Sequence, residues 1–352
     1  MGKTLMKGNE AIGEAAIKAG CRYFFGYPIT PQNEIPAYLA RRLPKENGVF
    51  LQAESEVSAI NMVYGASGAG ARVMTSSSSP GISLKTEGIS YIAGAQLPCV
   101  IVNIVRGGPG LGGIQPAQSD YFQAVKGGGH GDYRVVVLAP STVQELVDLT
   151  MDAFEIADYY RNPVMILGDG ILGQMMEPVE FKPLNKRDSK EKTWATTGMK
   201  DREQNVINSL HMDPEGLENH NIDLQEKYAE ITDKEAKSES YKTEDADIVI
   251  TAYGTTSRIC RTAIDQLREE GIKVGMIRPI TLWPFPADAF EDVIDSASKF
   301  LTVEMSLGQM VEDVKLAVDG RKPVEFYGRT GGMIPSVEEV KEKVKELVGG
   351  EK

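Results

Sequence analysis

Short, almost wholly apolar runs punctuate the first half of the chain, at 22–27, 48–52, 71–75, 98–106, 133–139 and 163–168. In the run 98–106 nearly every position is apolar, the pattern of a parallel strand covered on both faces. Between the runs, apolar residues recur at three- and four-residue steps over 9–19, 32–42, 56–68, 81–95, 118–125 and 143–159, which predicts helices. Strand and helix alternate, so residues 1–180 are expected to form a doubly wound α/β domain on a mostly parallel sheet. From 181 to 245 Lys, Glu, Asp, Asn and Gln dominate and the apolar period fades. We expect a polar surface connector there, with a few short helices and some of its order supplied by another chain. A second, smaller α/β domain is expected over 246–352. Its strands fall at 247–253, 272–278, 300–303 and 323–327, its helices at 256–270, 286–296, 309–318 and 337–347. Thr255 and Thr256, after Gly254, read as the cap of the first of these helices.

At 352 residues the chain has room for two domains, and its 41% hydrophobic and 25% charged content is that of an ordinary globular protein. The formal net charge of −12 argues against a nucleic-acid partner. No apolar run reaches the ~18–20 residues of a membrane span. The opening residues Met1-Gly2-Lys3-Thr4-Leu5-Met6 lack a signal-peptide core, and Met6 stands where myristoylation wants Ser or Thr. A cytoplasmic protein is expected. Cys21, Cys99 and Cys260 lie far apart with no CxxC pair, so they read as buried reduced thiols and not as cluster ligands. His130, His211 and His220 show no metal-ligand spacing. The last two fall in polar sequence and are expected to be solvent-exposed.

Two glycine motifs tempt and fail. Gly108-Pro109-Gly110-Leu111-Gly112-Gly113 satisfies GxGxxG after a strand, but Pro109 and Pro116 interrupt the helix that a dinucleotide site needs. It reads as a flexible strand-end loop. Gly168-Asp169-Gly170 resembles the start of the motif that holds the Mg²⁺ and diphosphate of thiamine diphosphate, yet no Asn–Asn pair follows at the required spacing. It reads as a strand-end turn.

The candidate chemistry lies at three other strand ends. Tyr27-Pro28-Ile29-Thr30-Pro31 follows the first strand, and Pro31 at a first helical position would leave the Thr30 hydroxyl at a helix N-terminus. Glu56 opens a helix whose next turns are small and apolar, a setting that desolvates a carboxylate and raises its pKa. Glu54, by contrast, reads as a surface acid favoured by the helix dipole. Thr75-Ser76-Ser77-Ser78-Ser79-Pro80-Gly81 supplies small donors at a strand–helix junction. Arg106 ends an apolar strand, and its guanidinium must find an anion, from the protein or from a substrate. Singly, Thr30 reads equally as part of a Pro-rich cap, and the serine run equally as a capping loop. Together they point to a site.

This ordered set, with Gly65-Ala66-Ser67, Gly70-Ala71-Arg72 and Arg106-Gly107-Gly108-Pro109-Gly110, resembles the pyrimidine-binding, alpha-type subunit of 2-oxoacid:ferredoxin oxidoreductases. The likeness is dense over 1–180. Residues 246–350 resemble that family's second domain, which is similar to the transketolase C-terminal domain. The stretches 52–111 and 127–133 are nearest in wording to subunits acting on 3-methyl-2-oxobutanoate, with 2-oxoglutarate as the alternative. The resemblance implies a thiamine diphosphate shared with a partner subunit, its pyrimidine side bound by Glu56, Pro28, Ile29, Ser78, Ser79 and Gly81. Glu56 would bond the ring N1′, favouring the imino tautomer that removes the C2 proton. Thr30 would contact the substrate and Arg106 bind its carboxylate. Mg²⁺ and 4Fe-4S clusters would sit on partners: a diphosphate-binding catalytic subunit, a gamma-type subunit and a ferredoxin-like subunit. The implied reaction converts a 2-oxoacid and CoA to acyl-CoA and CO₂, with electrons passing to ferredoxin. A nicotinamide-dependent oxidoreductase using the 108–113 loop and a non-catalytic scaffold are the competing readings.

Overall fold

The computed structural model describes residues 2–184, 186–188 and 191–349. In the first half the strands are β1 Thr4–Lys7, β2 Tyr23–Gly26, β3 Val49–Gln52, β4 Val73–Ser77, β5 Cys99–Val105, β6 Val136–Leu138, β7 Pro163–Asp169 and β8 Met176–Val179. The helices among them are α1 Gly8–Lys18, α2 Glu34–Arg42, α3 Glu56–Gly68, α4 Pro80–Gly94, α5 Tyr121–Val125, α6 Val143–Tyr160 and α7 Gly170–Gln174. The second half adds β9 Ser238–Tyr241, β10 Ile248–Thr251, β11 Val274–Pro279, β12 Thr281–Trp283, β13 Lys299–Glu304 and β14 Val324–Gly328. Its helices are α8 Pro214–Glu235, α9 Gly254–Glu269, α10 Asp288–Glu291, α11 Met310–Val318 and α12 Val337–Gly349.

A seven-stranded sheet in the order β12-β6-β7-β5-β4-β2-β3 carries the site. Its pairs are parallel except β12, which runs antiparallel to β6. Every residue of β5 and β7 is buried, as their largely apolar runs require. Successive residues of β5 alternate between two cores: Cys99, Ile101 and Val105 on one face, Val100, Val102 and Ile104 on the other. The first face is covered by α3, α4 and apolar residues of the second half, among them Val249, Phe300 and Met310. The second face is covered by α1, α2, α6 and α8. A five-stranded sheet, β14-β13-β10-β11-β9, forms the second unit, parallel apart from its edge strand β9. The mixed α/β class with mostly parallel sheets is as the alternation predicts.

Several boundaries move, each for a local reason. The helix expected over 118–125 starts at Tyr121; Gln118 before it is tied to the second unit, its backbone N–H donating to the Met305 carbonyl and its Nε2 to the Tyr253 carbonyl. The helix expected over 286–296 shrinks to α10, and beyond it the Ser296 hydroxyl donates to the Val293 carbonyl. Neither Thr255 nor Thr256 caps α9: the helix begins at Gly254, Tyr253 holds the cap position, and the Thr256 hydroxyl donates to Gln118 Oε1 instead.

The 181–245 stretch holds one long helix, not several short ones. Pro214 sits in the first turn of α8 and Asp213 accepts from the Gly216 N–H, an ordinary helix start. Leu224, Tyr228, Ile231 and Glu235 form its single buried stripe, and Tyr228 meets Trp283 of β12 edge-on at 5.6 Å. The antiparallel pair β1–β8 and the strands β9 and β12 lie outside the expected strands.

Candidate functional site

Strands β2, β4 and β5 are parallel neighbours, so their carboxyl ends open on one edge and bring the loops after residues 26, 77 and 105 together. Glu56 starts α3 on the same edge.

After β2 the chain turns tightly. The Gln32 N–H donates to the Ile29 carbonyl at 3.1 Å. The Gln32 side chain, fully buried, accepts from Ser76 Oγ at 2.5 Å and reaches the Tyr27 carbonyl at 3.4 Å. This pins the turn to β4, and α2 starts only at Glu34. Pro31 is therefore not a first helical residue, and the expected placement of Thr30 at a helix N-terminus is corrected. Thr30 stands exposed in the turn, its hydroxyl met by Asn33 Nδ2 at 3.4 Å. Pro28 is exposed and Ile29 half-buried on the same turn.

Ser55 caps α3, accepting the Ser58 N–H at 3.2 Å, and delivers Glu56 as the first helical residue. Glu56 is 6% exposed, and among the described residues its carboxylate has no hydrogen-bond donor. Glu54 is exposed and takes the Ser58 hydroxyl, as a surface acid would. Opposite Glu56 lies Gly81 in the first turn of α4. A β-carbon there would stand 2.7 Å from Glu56 Oε1 and collide with Ser77 Oγ, so only glycine lets the two helix starts close on each other. The hydroxyls of Ser77 and Ser78 are buried with no partner among the described residues.

Ser79, with φ 23° and ψ −83°, makes the corner into α4, a backbone state that few side chains adopt. Its position is held by the end of β5. The Ser79 N–H donates to Asn103 Oδ1 at 3.1 Å; its hydroxyl accepts the Arg106 N–H at 3.0 Å and donates to the Arg106 carbonyl at 3.2 Å. Arg106 is 7% exposed. Its Nη1 donates to the Thr30 carbonyl and its Nη2 to the Leu111 carbonyl, both at 3.0 Å, while Nε has no partner. The expected anion is thus absent from the described protein groups. Two carbonyls orient the guanidinium without neutralising it, and the buried Nε–H is left for something else.

The structure brings Thr30 to Arg106, and Glu56 to Ser77 and Gly81. It also reveals a residue that sequence reading passed over. Lys85, one turn beyond Gly81, is fully buried; its Nζ donates to Thr75 Oγ1 at 2.6 Å and to the Ser76 carbonyl at 3.2 Å. Burial pulls its pKa down to about 7, against an opposing pull from Glu56. The only available signal was one lysine on a helix face otherwise made of Gly81, Ile82, Gly88, Ile89 and Ile92.

The tempting motifs resolve plainly. The 108–113 loop folds back on itself, the Gly113 N–H donating to the Gly107 carbonyl, and opens no helix, so the dinucleotide reading has no structural support. Asp169 caps the short α7 by accepting from the Ile171 and Leu172 N–H groups. The three cysteines are buried and free, and burial pushes the Cys21 and Cys99 thiols up to about 12. No group of His, Cys, Asp or Glu among the described residues could hold a metal ion. The expectation for His211 and His220 is corrected: both are half-buried and stacked at 4.6 Å, with His220 Nε2 2.7 Å from the Gly94 carbonyl.

Comparisons with known proteins identify the family of the chain. Residues 14–245 match the family described as pyruvate flavodoxin/ferredoxin oxidoreductase, thiamine diP-binding, and residues 246–340 match pyruvate:ferredoxin oxidoreductase core domain II. The chain is 52% identical to the ketoisovalerate oxidoreductase subunit VorB of Methanothermobacter thermautotrophicus over 99% of both chains. It is 38% identical to the 2-oxoglutarate synthase subunit KorA of the same organism, over 95% of this chain and 96% of that one. Among solved structures it superposes on the 2-oxoglutarate:ferredoxin oxidoreductase of Magnetococcus marinus, determined with 2-oxoglutarate, coenzyme A and succinyl-CoA bound, with TM-score 0.89 and 30% identity. That match takes in 98% of this chain but 65% of the longer one. A split-gene transketolase shares the fold alone, with TM-score 0.61 at 14% identity over 97% of each chain.

Proposed function

Because the chain belongs to the thiamine-diphosphate-binding 2-oxoacid:ferredoxin oxidoreductase family, as an alpha-type subunit of a multi-subunit enzyme, we propose that its strand-end site is the pyrimidine-binding half of a cofactor site closed by another subunit. The observation that carries this is three buried polar atoms without partners among the described residues, Ser77 Oγ, Ser78 Oγ and Arg106 Nε, beside the 6%-exposed Glu56. Glu56 offers an acceptor, Ser77 and Ser78 offer hydroxyls, Arg106 offers Nε, and Gly81 keeps the space between them open. Buried groups in this state are uncommon and need a ligand, a water or a partner chain. A planar aminopyrimidine with adjacent donors and acceptors fits such a set.

In this reading Glu56 holds or shares a proton with the pyrimidine ring, flanked by Pro28, Ile29, Ser78, Ser79 and Gly81. Arg106, already aimed by two carbonyls, gives Nε to the carboxylate of the 2-oxoacid, and Thr30 contacts the substrate beside it. When bound, thiamine diphosphate supplies the electron sink for decarboxylation. The overall change is CoA-dependent oxidative decarboxylation to acyl-CoA and CO₂, the electron pair passing to ferredoxin. The higher identity to VorB than to KorA favours 3-methyl-2-oxobutanoate and related branched-chain acids over 2-oxoglutarate.

The remaining parts of the enzyme are assigned to partners: a diphosphate-binding catalytic subunit with Mg²⁺, a gamma-type subunit, and a ferredoxin-like subunit with 4Fe-4S clusters. Exposed apolar side chains at Val57, Leu84, Tyr91, Leu111 and Ile114, on α3, α4 and the loop after β5, suit a covering subunit. We read 1–180 as the pyrimidine-binding domain, 181–245 as its connector and 246–352 as the transketolase-C-terminal-like domain, working in the cytoplasm. No helix among the described residues is long and apolar enough to cross a membrane.

The test is viologen reduction by the purified complex with CoA and a panel of 2-oxoacids. Branched-chain acids should give the highest kcat/KM, and the chain alone should give no reduction. A preference for 2-oxoglutarate would overturn the substrate assignment. Turnover that needs no thiamine diphosphate would overturn the whole reading.

A further inference from the structure

Lys85 lies between two close contacts that clamp α4 to α3. At one, Gly81 faces Glu56; at the other, a β-carbon on Gly88 would stand 2.5 Å from Ile60 Cγ2. Glu56 and Ile60 are one turn apart on α3, and Gly81, Lys85 and Gly88 follow each other along one stripe of α4. The lysine is therefore directed beneath the first turn of α3, at the carboxyl end of β4. No carboxylate among the described residues comes within ion-pair distance of it, and its hydrogen bonds go to the neutral Thr75 hydroxyl and Ser76 carbonyl. An ammonium in that place is costly unless a nearby negative charge needs it.

We infer that Lys85 is a positioning residue for Glu56: anchored on Thr75 and the Ser76 carbonyl, it holds a buried cation beneath the turn that presents Glu56 to a ligand in the site. The inference rests on the assignment of Glu56 to the pyrimidine. The ionisable groups facing Lys85 are Glu56 from α3 and the Cys99 thiol from β5. Burial holds Cys99 as a neutral thiol, with its pKa pushed up to about 12, so Glu56 is the charge that Lys85 meets. Because Lys85 is pulled down to about 7, it is an ammonium on the acid side of neutrality and an amine on the alkaline side. The ammonium supports a Glu56 carboxylate. The amine removes that positive charge from beneath the first turn of α3. The site thus carries a buried, titrating lysine beside the one acid that the sequence shows.

Two measurements test this. In the full chain without cofactor, carbon-13 NMR of ε-labelled lysine should show Lys85 titrating at about 7. In Glu56→Gln, loss of the opposing charge should lower that midpoint by about half a unit or more. A midpoint in the ordinary lysine range near 10, or one that Glu56→Gln leaves in place, overturns the inference. This arm keeps Lys85 intact, so it does not depend on how well a Lys85 variant folds. In the assembled complex, C2–H exchange of bound thiamine diphosphate should change across pH ~6–8 in wild type and lose that dependence in Lys85→Met. A wild-type pH profile in Lys85→Met overturns the inference while leaving Glu56 in the site. Wild-type exchange in Glu56→Gln overturns both.

Discussion

At Gly81 the room for a side chain is taken by Ser77 Oγ and the Glu56 carboxylate. Alanine would gain about 1 kcal/mol of helix propensity at most, whereas overpacking costs about 1–3 kcal/mol. The steric effect wins, and it falls on Glu56. Gly81→Ala should lower Tm by only a few degrees yet reduce turnover of the complex by roughly tenfold or more, since one such displaced group can cost that much. Unchanged turnover would show that the space opposite Glu56 is not used. Arg106→Lys keeps the charge but loses the planar fork that holds both the Thr30 and Leu111 carbonyls and leaves Nε pointing free. Losing one charge-assisted bond to substrate is worth about 1.5–3 kcal/mol, so kcat/KM for the 2-oxoacid should fall roughly 10- to 150-fold. Glu56 and Arg106 were legible because a charge at the edge of an apolar block has no structural excuse. Lys85 was not, because a single lysine in a helix ordinarily snorkels to solvent.

The parallel strands were legible for the opposite reason, that β5 and β7 have no polar face to confuse them. Helix α8 escaped because three apolar residues and Glu235 carry its whole buried stripe among charged neighbours. Glu235, 2% exposed, is held by a two-pronged ion pair from Arg187 and by the Tyr160 hydroxyl at 2.9 Å. Removing Arg187 strands a buried carboxylate, a loss of about 3–5 kcal/mol where nothing else compensates. Lys237 Nζ, 3.7 Å away, offers partial relief. Arg187→Met should therefore cost about 3 kcal/mol in urea unfolding, and Arg187→Met with Glu235→Leu should regain most of it. A double variant no better than the single would mean that the helix is held by its apolar stripe alone. Strand β12 escaped for a different reason: its place is on the sheet of the other half, and no local pattern records which edge a strand will join.

At the scale of the molecule the two sheets are fixed to one another beside the site. Gln118 Oε1 accepts the Met305 N–H and the Thr256 hydroxyl, and its Nε2 donates to the Tyr253 carbonyl. Tyr121 donates to Asp313 at 2.6 Å, and one apolar core runs through both halves. The loop after β5 is thereby walled by the second unit, with Gly107 against Gly331 and Gly332. In the proposed reading a partner subunit covers the carboxyl edge beyond Thr30, Glu56 and Arg106. The measurement that bears most directly on this half-site is C2–H exchange of thiamine diphosphate in three preparations: the chain alone, the reconstituted complex, and the complex carrying Glu56→Gln. The expected result is no acceleration by the chain alone, rapid exchange in the complex, and exchange about 10²–10³ slower in the variant, the ~2.7–4 kcal/mol of one preorganised interaction, with cofactor affinity changed less than about tenfold. Wild-type exchange in the Glu56→Gln complex, or acceleration by the pure chain, would contradict it.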